Sequence, residues 1–260
     1  MRITLIGAGR VATHIAKVLH RQHQIVQIFS RNLLNAQELA EKINAHAINQ
    51  VEQLTQDTDL VIIAVSDQAI QSVIKSIHGY LPNNLIIHTS GSTNLQIMEE
   101  VHPRSGVFYP LQTFSRERER EVDWKETPLF VEASNHEDLS FLTALANSLS
   151  QRVYQYSSKQ RQTLHLAAVF ACNFSNYCYD MAKQVVDAEQ VDFSLLFPLI
   201  LETASKAVAN DPKEMQTGPA RRGDENILKM HTQLLAESNQ LDLEQVYELM
   251  SKGILKRHLN

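Results

Sequence analysis

Three stretches of the sequence hold residues whose types and spacing could do chemistry. The first is Gly7-Ala8-Gly9-Arg10-Val11-Ala12, a G-x-G-x-x-A run. It directly follows the apolar Arg2–Ile6 and directly precedes residues with helical spacing, the setting in which such a run cradles a dinucleotide. Gly7 permits the tight turn, and Gly9 has no Cβ, so backbone can approach a pyrophosphate. Ala12 lets the helix pack close to the strand, and the helix N-terminus turns free N–H groups and its positive end to the anion. The competing reading is a plain glycine turn in a domain that binds no nucleotide. The second stretch is Leu164–Ala182, where His165, Cys172, Asn173, Asn176 and Asp180 fall within about a 100° sector of a helix. The rest of that stretch is largely apolar, so this polar stripe needs partners. Either it bonds other helices or a second subunit, or it faces substrate. In the second case His165 is the expected general acid, because imidazole titrates near neutral pH. The third is Thr217–Asn226, a glycine-flanked loop that sets Arg221 and Arg222 between Gly218 and Gly223 with Asp224 next, more than a linker needs.

The cofactor is read from the second strand. An NAD site usually places Asp or Glu at its end, about 20 residues past the glycines, on the ribose hydroxyls. Here the strand ends Phe29-Ser30-Arg31-Asn32. A donor and a cation with no acid suit a 2′-phosphate, so NADP is expected. The plain alternative is a surface arginine. Two further strand ends belong to the same crevice, Ala64–Gln68 and His88–Ser92. Val65, Ser66 and Ser90 are expected on the cofactor, and His88 near the substrate. Ser66 and Ser92 could also simply cap helices.

The elements that must position these residues alternate in the first half. Strands are expected at Arg2–Ile6, Ile25–Ser30, Asp59–Asp67, Asn84–Ser92, Gly106–Tyr109, Leu129–Glu132 and Arg152–Tyr156. Helices are expected at Arg10–Leu19, Ala36–Ile43, Asp67–Ile77 and Glu137–Ser148. Unbroken Val/Ile strands between helices imply a parallel sheet covered on both faces. From Ser157 the strand signals stop. Ser157 and Gln160 form a capping-box pattern that opens a helix to about Val186. Further helices are expected at Ser194–Ala209, Glu225–Ser238 and Leu243–Lys256, the last with Asp242 and Gln245 as a cap. Ser115–Glu121, SRERERE, reads as a solvated loop. The fold class is therefore α/β: a Rossmann-type parallel-sheet N-terminal domain, residues 1–155, followed by an all-α substrate and dimerisation domain, residues 156–260.

Composition narrows the partners. The 260 residues carry a formal charge of −5, which gives no basic footprint for nucleic acid. Cys172 and Cys178 read as free thiols of a reducing compartment. The apolar run at the N-terminus is too short for a signal peptide, and no stretch reaches the roughly 18 apolar residues of a membrane span. A cytoplasmic protein is expected. The eleven histidines show no ligand spacing for a metal.

Gly106–Ser115 (GVFYPLQTFS), Leu164–Phe174 (LHLAAVFACNF) and Thr217–Asp224 (TGPARRGD) resemble the signature segments of a bacterial family. That family joins a Rossmann-like domain to domain of unknown function 2520, and the resemblance covers nearly the whole chain. It is similar in plan to pyrroline-5-carboxylate reductases, ketopantoate reductases and β-hydroxyacid dehydrogenases. The resemblance implies an NADP oxidoreductase with a helical dimerisation half; the apolar residues around Phe193–Leu201 are the expected interface of a homodimer. It also makes TGPARRGD a signature, in which Arg221 or Arg222 would clamp a substrate carboxylate or a cofactor phosphate. Asp224 would cap the next helix or hold an arginine; a buried Arg–Asp tie is the plainer reading. Tyr109 and Gln112 would reach the crevice, or pack beneath the helices. Asn173 resembles the catalytic-site asparagine of the relatives. The lysine that β-hydroxyacid dehydrogenases and ketopantoate reductases carry four residues earlier is replaced by Val169, which leaves His165 as the proton donor. The expected reaction is hydride transfer with a small anionic carbonyl or imine compound, or with a deazaflavin. A nucleotide-binding sensor without turnover is the alternative that Val169 favours.

Overall fold

A computed structural model describes residues 1–114, 122–237 and 241–259. The SRERERE segment and the last residue of the helix expected to end at Ser238 lie outside the described residues. The chain divides into two compact units, Met1–Val169 and Phe170–Asn260. This division lies beyond the boundary expected near residue 155.

The first unit is built on one eight-stranded sheet of order β3-β2-β1-β4-β5-β6-β7-β8. Its strands are β1 (Arg2–Ile6), β2 (Gln24–Phe29), β3 (His46–Ile48), β4 (Leu60–Ile63), β5 (Leu85–His88), β6 (Ser105–Pro110), β7 (Leu129–Ala133) and β8 (Val153–Gln155). The first six run parallel, β7 is antiparallel to β6, and β8 is parallel to β7. Helices α1 (Arg10–His20), α2 (Leu33–Ile43), α3 (Asp67–Ile77), the short α4 (Gln96–Glu99), α5 (His136–Leu149) and α6 (Ser158–Ala168) complete it. The expected strands are all present. β3 was not expected: three residues are too few to display a period. Every residue of β4 and β5 is buried, as a strand covered on both faces requires. One apolar cluster joins β1 and β2 to α1, α2 and α5; a second joins the other face to α3. Each buried Ile or Leu contributes about 1.5–3 kcal/mol.

α6 starts with the expected capping box: Ser157 and Gln160 satisfy each other's backbone N–H groups. A six-residue π-helical segment, Val169–Phe174, follows it. The regular helix expected to run on to Val186 is thus interrupted, and a reckoning at 100° per residue does not carry across the break.

The second unit holds α7 (Ser175–Ala188), a 3-10 turn at Phe193–Leu196, α8 (Phe197–Ala209), α9 (Pro219–Arg222), α10 (Glu225–Glu237) and α11 (Leu241–His258). The loop expected at Thr217–Asp224 contains a four-residue helix, bounded by Gly218 at φ 102° and Gly223 at φ 67°. α11 begins at Leu241, so Asp242 lies in its first turn rather than before it.

Candidate functional site

The C-terminal ends of β1, β2 and β4 enclose the glycine turn. Gly7 donates its N–H to the Phe29 carbonyl at 2.8 Å. Its φ is +118°, and a Cβ there would lie 2.3 Å from the Ala64 carbonyl oxygen. Turn and strand are therefore packed against each other as only glycine allows. Gly9 differs. It is the N-cap of α1 with no side-chain cap and no acid in the first turn, and a Cβ there would meet nothing within 4 Å. Open space thus lies over an uncapped helix N-terminus, which suits an anion.

A cavity of about 650 Å³ opens at this point. Gly7, Ala8, Gly9, Arg10 and Val11 line it, with Ser30 and Arg31 from the end of β2 and Val65 and Ser66 from the end of β4. Arg31 is exposed and makes no ion pair among the described residues. Asn32 caps α2 by accepting the Leu34 N–H at 3.0 Å. Ser66 occupies the N-cap position of α3, yet its side chain makes no cap bond. Ser92 caps no helix either; its hydroxyl donates to Asp67 at 2.5 Å. Ser90 does not line the cavity. It is buried, and its hydroxyl accepts the N–H groups of Ser92 and Thr93.

A second cluster lies where β5, β6 and β7 meet α6. Arg161 is 0% exposed. Its guanidinium donates to the carbonyls of Ser90, Gly91 and Thr93, to Glu132 at 2.9 Å and to Ser158 at 2.9 Å. Glu132 also accepts the Ser158 N–H and hydroxyl. α6 is therefore bolted to the sheet through a buried ion pair with most of its hydrogen bonds made. Burial pulls Arg161 below its usual range, and Glu132 works against that pull.

His88, expected near substrate, is instead fully buried. It is the last residue of β5, which lies between β4 and β6, and Arg161 bonds the carbonyls of the loop just beyond it. Its Nδ1 accepts the Ser90 N–H at 3.1 Å, and its Nε2 has no partner among the described residues. Burial, then the Arg161 charge, lowers it to about 3, so it is neutral.

His165 lies one turn beyond Arg161 and is partly exposed. Its Nδ1 is 3.1 Å from the Tyr109 hydroxyl. Tyr109 is buried; burial, opposed by Arg161 and assisted by Asp67, raises it to about 12. Gly91 makes room for this pair: a Cβ there would lie 2.6 Å from Tyr109 Cζ and 2.7 Å from His165 Nδ1. Gln112 is exposed and bonds Thr113.

In the second unit Asn173, Asn176, Arg221 and Arg222 are all exposed. Arg221 donates to the Gln216 carbonyl. Neither arginine pairs with a carboxylate among the described residues, so the Arg–Asp tie is not formed. Asp224 accepts the Ile227 N–H at 3.4 Å at the start of α10. Sequence reasoning missed Arg161 and Glu132. Arg161 follows a capping box on a polar first turn and carries no local mark of burial. Among the described residues, no helix is long and apolar enough to cross a membrane, and no three His, Cys, Asp or Glu side chains are grouped as for a metal ion.

Comparison with known proteins agrees with this geometry. Residues 2–91 match the family described as NADP oxidoreductase, coenzyme F420-dependent. Residues 127–254 match domain of unknown function 2520. A Bacteroides fragilis protein, whose designation as an NADP oxidoreductase is itself an inference, is 43% identical. The match covers 98% of each chain with a TM-score of 0.90. A Thermotoga maritima protein is 20% identical over 98% of each chain, TM-score 0.71. An imine reductase from Myxococcus stipitatus, solved with NADP+, is 16% identical over 100% of each chain, TM-score 0.71. At those identities the last two share the fold alone. No curated protein matches the chain.

Proposed function

Since this chain belongs to the family that joins an NADP oxidoreductase module to domain of unknown function 2520, we propose that it transfers hydride between NADP(H) and a small, anionic carbonyl or imine compound. The observation that carries this reading is the cavity at Gly9, with Ser30 and Arg31 on its wall and no acid at the end of β2. Bound NADPH would supply the hydride. Gly9 and the N-terminus of α1 would hold the pyrophosphate, Arg10 and Val11 lending backbone N–H groups. Ser30 and Arg31 would hold the 2′-phosphate. Val65 and Ser66 would meet the ribose; Ser66 supports this with a hydroxyl not spent on capping. His165 would act at the accepting atom. Exposed Asn173, Asn176, Arg221 and Arg222 are the proposed substrate contacts. Exposed Phe197, Leu199 and Leu201 support a homodimer through the helical unit, and two free thiols support a reducing, cytoplasmic setting. A second reading, a sensor that binds NADP without turnover, has Val169 in its favour, where β-hydroxyacid dehydrogenases and ketopantoate reductases carry a lysine.

The test is a calorimetric titration with NADPH and NADH beside Arg31→Ala. Loss of one charge-assisted contact, about 1.5–3 kcal/mol, should weaken NADPH roughly 10- to 100-fold and leave NADH unchanged. No binding of either dinucleotide would sink the proposal. Selective binding with no turnover across carbonyl and imine acids would leave the sensor.

A further inference from the structure

The phenol of Tyr109 makes one hydrogen bond among the described residues, to His165 Nδ1 at 3.1 Å. The residue is 9% exposed. If the phenol oxygen accepted from an Nδ1–H, its own proton would be buried without an acceptor, which is costly. If the phenol donates and Nδ1 accepts, both groups are satisfied. The surroundings favour the second arrangement. Arg161, one turn earlier on α6, and Asp67, at the start of α3, act on the phenol in opposite senses, and Glu132 on β7 is tied to Arg161. Burial is the leading influence and keeps the phenol protonated. The rings meet edge to face, with centroids 6.0 Å apart, and Gly91 leaves no spare space beside either.

We infer that Tyr109 is a positioning residue that donates its phenol proton to His165 Nδ1, fixing the tautomer of the neutral imidazole with its hydrogen on Nε2. Nε2, across the ring from Nδ1, makes no hydrogen bond among the described residues. At a carbonyl or imine acceptor, such an Nε2–H orients and polarises the accepting atom. It does not serve as an acid, because a neutral ring that lost this proton would become an imidazolate; the proton that completes the reduced product would come from solvent water. The part expected of His165 therefore changes from proton donor to hydrogen-bond donor. That consequence rests on the proposed reductase activity; the protonation pattern does not.

The experiment is NMR of the full chain carrying ¹⁵N-histidine, with His165 assigned from a His165→Asn sample. In the wild type, neutral His165 should carry its proton on Nε2 and none on Nδ1. In Tyr109→Phe the share of the neutral ring with its proton on Nδ1 should rise roughly two- to tenfold, the worth of one neutral hydrogen bond. A fall, or no change, would overturn the inference, as would a proton on Nδ1 of the neutral wild-type ring. If Tyr109→Phe does not fold, a proton on Nδ1 of the neutral wild-type ring still refutes the inference. Gly91→Ala, which drives a methyl into both rings, should move the same signal. NADPH titration of the same samples tests the reductase reading separately.

Discussion

His88 makes the folded protein sensitive to mild acid. The ring is 0% exposed, and burial followed by the Arg161 charge lowers it to about 3. In the unfolded chain it titrates near 6.5. Between these limits the unfolded state binds the extra proton, so stability falls as pH falls below about 6.5. From pH 7 to pH 5 the loss from this one residue is about 2 kcal/mol. That figure hardly depends on the folded value, because at pH 5 the folded ring is neutral whether it titrates at about 3 or about 4. His88→Asn keeps an acceptor for the Ser90 N–H and removes the titration. Urea denaturation of both proteins at pH 7, 6 and 5 reads the difference. The wild type should lose about 2 kcal/mol more than the variant over that range. His102 is also buried and lowered, chiefly by burial, but it is common to both proteins and cancels. Equal losses in the two proteins would refute the reasoning, as would an NMR titration of His88 near neutrality in the folded state.

Gly7→Ala and Gly9→Val should separate fold from site. The first drives Cβ to 2.3 Å from the Ala64 carbonyl at φ +118° and should lower the melting temperature measurably. The second adds atoms to open space, so the fold should persist while calorimetry detects no NADPH binding; retained binding would argue against a pyrophosphate there. Arg161→Met should cost about 3–5 kcal/mol in chemical denaturation, because it strands Glu132 and three backbone carbonyls. A loss under about 1 kcal/mol would show that the ion pair does not fasten α6 to the sheet.

Much of the first unit was legible in the sequence because its signals are local. The Val/Ile run of β4, the glycines after β1 and the Ser157–Gln160 capping box each depend on residues a few positions apart. The same holds for Ser30 and Arg31, whose place at the end of β2 follows from counting along one strand. The sequence by itself thus determined the parallel sheet, the position of the glycine turn and part of the lining of its cavity, from Gly7 to Val11 with Ser30, Arg31, Val65 and Ser66. The fate of residues whose partners are remote in the chain depended on the tertiary structure. His88 stands at a strand end just as Ser30 and Ser66 stand just beyond theirs, yet it is buried, because β5 lies between β4 and β6 and Arg161 bonds the loop just beyond it. Arg161 reads as a solvated helix residue until Glu132 and the 90–93 loop are brought beside it. Gly91 reads as a turn until Tyr109 and His165 need the space of its missing Cβ. Periodicity and capping are written between neighbours in sequence. Burial, ion pairing and the direction of a hydrogen bond are set by atoms that only the folded sheet brings together.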